Sequence, residues 1–201
     1  MMIAGEPTDP RAEEWDAVLT LDGARIDHRS CKAPWLAAYS LPPSALGGYR
    51  PLALSTARGG VPGAAPFALR GLAYGPASAA LLVTGEGWHY PETTEDGRPF
   101  RWATRVARAM INVPASGARL VAEGDVPGYV AAPAAIDLEA GDVRRSISAR
   151  GHFRIELDVP PGPPREATLR SDRDFVPDAV QRNGDRRRLA LRIDRFEIAA
   201  R

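Results

Sequence analysis

The stretch HFRIELDV, residues 152–159, alternates strictly: Phe153, Ile155, Leu157 and Val159 are apolar, while Arg154, Glu156 and Asp158 are charged. Successive side chains of a strand point to opposite faces, so this pattern builds a sheet with one dry and one wet face and does not suit a helix. The same period recurs in ARAMINVP, through Ala107, Ala109, Ile111 and Val113, and more briefly in AAIDLEA and EATLRS. No segment carries a helical stripe beyond a single turn near Ala12 to Asp16. Towards the C-terminus, RLALRIDRFEI keeps Leu189, Leu191 and Ile193 in phase but sets Phe196 and Ile198 one residue out of step. That shift predicts a β-bulge at Asp194 or Arg195.

Many short strands, punctuated by 19 Gly and 19 Pro, predict an all-β fold, a jelly-roll-like antiparallel β-sandwich with an additional N-terminal β segment. Three parts are expected: a polar, flexible arm over residues 1–14, a β segment over 15–65, and the sandwich over 66–201. Within the second part, Asp22-Gly23 between two apolar runs is a hairpin signal. The Gly/Pro/Ala-rich ARGGVPGAAPF marks the boundary. Whether residues 15–65 pack on the sandwich or lend strands to it stays open.

Charge and cysteine content exclude several classes of function. A formal charge of +1 gives no strong pull towards nucleic acid or an anionic membrane. Cys31 is alone, so the chain makes no internal disulfide and no zinc site of paired cysteines. Neither a signal peptide nor an apolar stretch of membrane-spanning length is present, so the chain as written is expected in the cytoplasm, with a soluble portion of an envelope-associated protein as the alternative. There is no Gly-x-Ser-x-Gly elbow, phosphate-binding loop or His-Glu-x-x-His. His28, His89 and His152 are scattered, and Cys31 near His28 lacks a third partner. No cofactor, no metal and no catalytic residue is expected.

Two stretches hold the candidate site. In EGWHYPETTEDGRPFRWATR, the side chains Trp88, His89, Tyr90, Glu92, Arg101 and Trp102 flank a turn-rich loop. Flat aromatic faces stack on sugar C–H faces, while Glu and Arg hydrogen-bond hydroxyls. The same residues can equally plug one end of a sandwich. In SDRDFVPDAVQRNGDRRRL, Phe175 is an apolar residue in a polar connection, which predicts a latch that folds back and buries it. Pro177 fixes a bend there, and Asp172 and Asp185 accept hydrogen bonds from loop amides or from Arg173 and Arg187. The competing use of Asp172, Asp174 and Asp178 is a calcium site or acid/base pair, and Asp172, Asp174 and Glu92 together would serve a glycoside hydrolase. The arginines from Arg182 to Arg201 either attract an anion or form salt pairs on a wet strand face with Asp185, Asp194 and Glu197.

The order of these motifs resembles the β-sandwich domains found at the C-terminal ends of bacterial membrane glycosyltransferases and in related polysaccharide-assembly proteins. The matching positions are Gly87, Trp88, Pro91, Glu92, Arg101 and Trp102, then Ser171, Asp172, Phe175, Pro177, Asp185, Arg187 and Leu189. The likeness covers roughly residues 67–201. His89 stands where those domains carry an aromatic residue or a proline. The resemblance implies a noncatalytic, carbohydrate-associated domain whose partner is a glycan or a glycan-assembly protein. A structural or protein-interaction sandwich without a sugar ligand is the alternative.

Overall fold

The computed structural model describes residues 1–7, 15–21, 24–31, 35–39, 52–58, 61–62, 67–76, 78–130 and 132–201. The chain divides into two compact units, Met1–Leu72 and Ala73–Arg201. The division falls a few residues after the expected boundary at 65, which itself lies outside the described residues.

The first unit is built from β1 (Met2–Pro7), β2 (Trp15–Leu21), β3 (Ala24–Cys31), β4 (Trp35–Ala38), β5 (Leu52–Arg58), β6 (Val61–Pro62) and β7 (Phe67–Ala73). They form one sheet in the order β4-β1-β7 and another in the order β3-β2-β5-β6. Strands β2 and β3 pair antiparallel with Leu21 opposite Ala24, the register that a two-residue hairpin turn requires, although the turn residues lie outside the described set. Met2–Pro7 corrects the expectation of a loose arm: Met2, Ile3 and Ala4 are buried, and the strand pairs with β4. Three consecutive apolar residues are enough to hold this short segment in a sheet. Of the helical turn expected near Ala12 to Asp16, residues 12–14 lie outside the described set, and Trp15 and Asp16 belong to β2.

The second unit contains β8 (Leu81–Thr84), β9 (Glu92–Thr93), β10 (Pro99–Ala103), β11 (Val106–Val113), β12 (Ala118–Val126), β13 (Ala134–Ala140), β14 (Val143–Ala149), β15 (Gly151–Val159), β16 (Gly162–Ser171), α1 (Pro177–Gln181) and β17 (Leu191–Ala200). Its two sheets run β15-β12-β17-β10-β9 and β14-β13-β16-β11-β8. The antiparallel pairs are nested: β10 with β17, β11 with β16, β12 with β15 and β13 with β14. A chain folded in half and then rolled brings β12 against β17 and β13 against β16. This is the jelly roll, with β8 and β9 added at the sheet edges.

The core lies between the sheets. Phe153, Ile155 and Leu157 of β15 and Leu120 of β12 meet Ile111 of β11, Ile136 and Leu138 of β13 and Leu169 of β16, all buried. Each such side chain contributes about 1.5–3 kcal/mol on leaving water. The alternation read in the sequence is therefore the inward face of the sandwich.

The bulge is present. Glu123 faces Arg195 and the next residue, Gly124, faces Ile193, which leaves Asp194 unpaired. The extra residue restores the inward phase, so Phe196 and Ile198 pack against the core. Gly124 is required there, because a Cβ would sit 2.0 Å from the Arg192 carbonyl oxygen.

Candidate functional site

The aromatic stretch crosses from one sheet to the other, and its residues separate by depth. Trp88 is a core residue, 6% exposed, bridged to Ala103 and stacked on Phe196 at 4.7 Å. Its indole N–H donates to the Arg108 carbonyl at 3.0 Å, so both its faces and its polar edge are used internally. This corrects the expectation that Trp88 offers a face to a sugar. Gly87 makes the crossing possible. It adopts φ +82°, and a Cβ would lie 2.1 Å from the Val106 carbonyl oxygen, so no side chain fits.

Trp102 takes the opposite side. Ala103 is in the core, so alternation along β10 turns Trp102 and Phe100 to the outer face of the sheet. Cross-strand register then sets Arg192 of β17 beside Trp102, Asp125 of β12 beside Arg192, and His152 of β15 beside Asp125. Arg192 donates to Asp125 at 2.5 Å, lies 3.3 Å from Asp194, and holds its guanidinium 5.8 Å from the centre of the Phe100 ring. His152 Nδ1 is 4.0 Å from Asp125.

Phe100, Trp102, Arg192 and Asp125 of this row floor an open concavity of about 920 Å³ between two loops. One wall is the β9–β10 turn. There the Thr94 hydroxyl donates to Asp96 and receives the Arg98 amide at 3.0 Å, while Arg98 Nε donates to Asp96 at 2.8 Å. These bonds set the wall before any ligand arrives, and they hold the Asp96 carboxyl below its ordinary pKa, the Thr94 hydrogen bond being the largest cause. The other wall is the turn from Val126 to Tyr129. Burial pushes the Tyr129 phenol up, with Arg192 acting against it, so its hydroxyl remains a donor.

The second stretch braces this groove. Phe175 pairs with Leu189 through two backbone bonds of 2.8 and 2.9 Å, as a fold-back latch requires. Its ring meets Trp102 edge-on at 5.8 Å and Tyr129 at 4.7 Å. Phe175 is partly rather than fully buried. Pro177 opens helix α1 at its first turn, where a missing N–H costs nothing. Asp172 accepts from the Ala135 amide at 2.8 Å and lies 3.5 Å from Arg173.

A polar clamp joins the two stretches. Arg187 donates to Glu92 at 2.6 Å and, through Nε and Nη2, to both oxygens of Asp185 at 2.7 to 3.1 Å. The Arg187 bonds depress the Asp185 pKa, and Arg187 itself is raised, first by Asp185 and then by Glu92. His89 stands in the same field. Burial and then Arg187 lower its pKa, while a hydrogen bond with the Arg188 backbone opposes them, and the neutral ring is favoured. Its Nε2 is buried without a partner among the described residues.

The remaining candidates separate as follows. Tyr90 is 63% exposed. Arg101 donates to the Thr84 hydroxyl at 2.7 Å. Asp174 meets Arg188 at 3.3 Å, and Asp178 accepts from the Gly184 amide at 2.8 Å. Glu92, Asp172 and Asp174 are thus each engaged by a different cation or amide. The tail arginines form further pairs, Arg195 with Glu197 at 2.8 Å and Arg201 with Asp158. His28 pairs with Asp16 at 3.1 Å in the first unit. Among the described residues no group of three His, Cys, Asp or Glu side chains is placed to hold a metal ion, and no helix is long and apolar enough to cross a membrane.

Phe100, Asp125, Tyr129 and Arg192 are groove residues that the sequence motifs did not single out. Phe100 carried a usable signal, since it lies two residues before Trp102 on one strand. Asp125 and Arg192 meet only through register. No protein-family model matches the chain, and no curated protein matches it in sequence.

Proposed function

We propose that the second unit is a noncatalytic carbohydrate-binding domain that serves glycan assembly, with the outer groove as its binding site. One observation carries this reading: Trp102, Phe100 and Tyr129 line an open groove whose floor also holds Arg192 clamped to Asp125. Aromatic rings offer area for the apolar faces of pyranose rings, and fixed polar groups beside them orient hydroxyls. The internally bonded β9–β10 turn lowers the ordering cost of binding, because that wall is already held. The resemblance to glycosyltransferase-associated sandwiches favours the same role.

The rival reading is a protein-interaction module without a sugar ligand. Burial of Trp88 favours it, since a single tryptophan rather than a facing pair remains for stacking. Titration with oligosaccharides, followed by tryptophan emission, separates the two. A saturable change in the parent protein that disappears in Trp102→Ala supports the glycan site. No response to any oligosaccharide from a folded protein overturns it.

A further inference from the structure

The charges around the groove distinguish among sugars. Its lining carries three carboxylates, Glu95, Asp96 and Asp125, against two guanidinium groups, Arg98 and Arg192. Both cations are already neutralised: Arg98 by Asp96 at 2.8 Å, and Arg192 by Asp125 at 2.5 Å with Asp194 at 3.3 Å. Glu95 forms no ion pair among the described residues and is exposed at the turn between β9 and β10. An acidic sugar entering here meets an uncompensated carboxylate and two cations whose charge is already offset by their own carboxylates. An uncharged pyranose meets neither obstacle and uses Trp102, Tyr129 and the fixed carboxylates as stacking surface and hydroxyl acceptors.

We infer that the groove takes glycan chains free of carboxylate and phosphate groups, with Glu95 as the residue that rejects acidic chains. This rests on the glycan reading of the groove. Repulsion is a specificity device in its own right, since discrimination is a difference of two affinities.

The test titrates neutral oligohexoses and oligouronates of equal length into the protein, following tryptophan emission at low and high salt. Neutral chains are expected to bind up to about fivefold more tightly at low salt, the range of one exposed charge interaction, with the gap narrowing as salt screens the repulsion. Glu95→Gln, on an exposed turn, should improve oligouronate binding by up to about fivefold, the range of one exposed charge interaction, and so narrow the preference for neutral chains. Glu95→Arg should improve it further. Equal binding of both chains, or an unchanged preference in both Glu95 variants, overturns the inference while leaving the glycan site standing. Binding of neither chain overturns the glycan reading itself.

Discussion

Glu92 and Arg187, 95 positions apart in the chain, meet at 2.6 Å, and Arg187 simultaneously grips Asp185. The pair ties the loop leaving the buried Trp88 to the turn entering the last strand. Both side chains are about one-third exposed, so water screens the interaction. A double-mutant cycle with Glu92→Gln and Arg187→Met should give a coupling of about 0.5–1 kcal/mol. Urea melts of the four proteins measure it, and a coupling of zero would mean the clamp has no role in stability.

The same clamp sets a pH dependence. Asp185 has a folded pKa below its unfolded value, so its contribution is complete above the unfolded pKa of about 3.9 and is lost as pH falls through the folded value. The stability gap between the parent and Asp185→Asn should therefore be constant near neutrality and close progressively in acid. Denaturant melts across that range check it, and a gap that persists unchanged in strong acid contradicts it.

The two tryptophans should separate structure from binding. Trp88→Ala removes a buried indole and its internal hydrogen bond and should cost about 3–5 kcal/mol. Trp102→Ala, on the outer face, should cost less, about 1–2 kcal/mol, because part of that ring is already in water. The oligosaccharide response should vanish in Trp102→Ala and survive in Trp88→Phe. Loss of the response in Trp88→Phe but not in Trp102→Ala would move the site out of the groove.

Phe175 braces Trp102 and Tyr129 while remaining partly exposed, so Phe175→Ala should cost about 2–4 kcal/mol, below the value for a fully buried ring. Asp172→Asn should cost about 1 kcal/mol, since it weakens one hydrogen bond to the Ala135 amide. Thermal melts of both variants decide this. Equal stability of Phe175→Ala and the parent would remove the latch.

Deleting Asp194 removes the one residue of this stretch that β12 leaves unpaired. Ile193, Phe196 and Ile198 then fall at alternate positions of an unbroken strand, so all three keep their inward phase and Trp88 keeps its stacking partner. An extra residue inserted after Asp194 enlarges the bulge or slides Phe196 and Ile198 along β12, and should destabilise the domain far more than the deletion. Similar melting temperatures for the insertion and the deletion would show that the strand finds another way to keep its register.

The strands were legible because burial on one face imposes a period of two, and β11, β13, β15 and the bulged β17 each carry it. Met2–Pro7 was missed because its apolar run is too short to show a period before polar residues intervene. Helix α1 was missed for a related reason: five residues after Val176 cannot display a stripe, and Pro177 reads as a turn. Trp88 was ambiguous because it sits at a single bridge outside any strand, where alternation does not assign a side. Asp125 and Arg192 were invisible as site residues because 67 positions separate them, and only the pairing of β12 with β17 makes them neighbours.

The nested pairing of the jelly roll also governs when the domain can exist. Of this unit's strands β17 is the last to be synthesised, yet it lies between β10 and β12 in the middle of its sheet. Until it leaves the ribosome, β10 has no strand linking it to β12, and the core lacks Leu191, Ile193, Phe196 and Ile198. Pairings between distant parts of a chain close late and slowly, so a nascent chain ending before Leu191 exposes the apolar edges of β10 and β12 to their neighbours. Folding of this unit therefore waits for β17, and in the cell its yield depends on what shields the unfinished sheet until then.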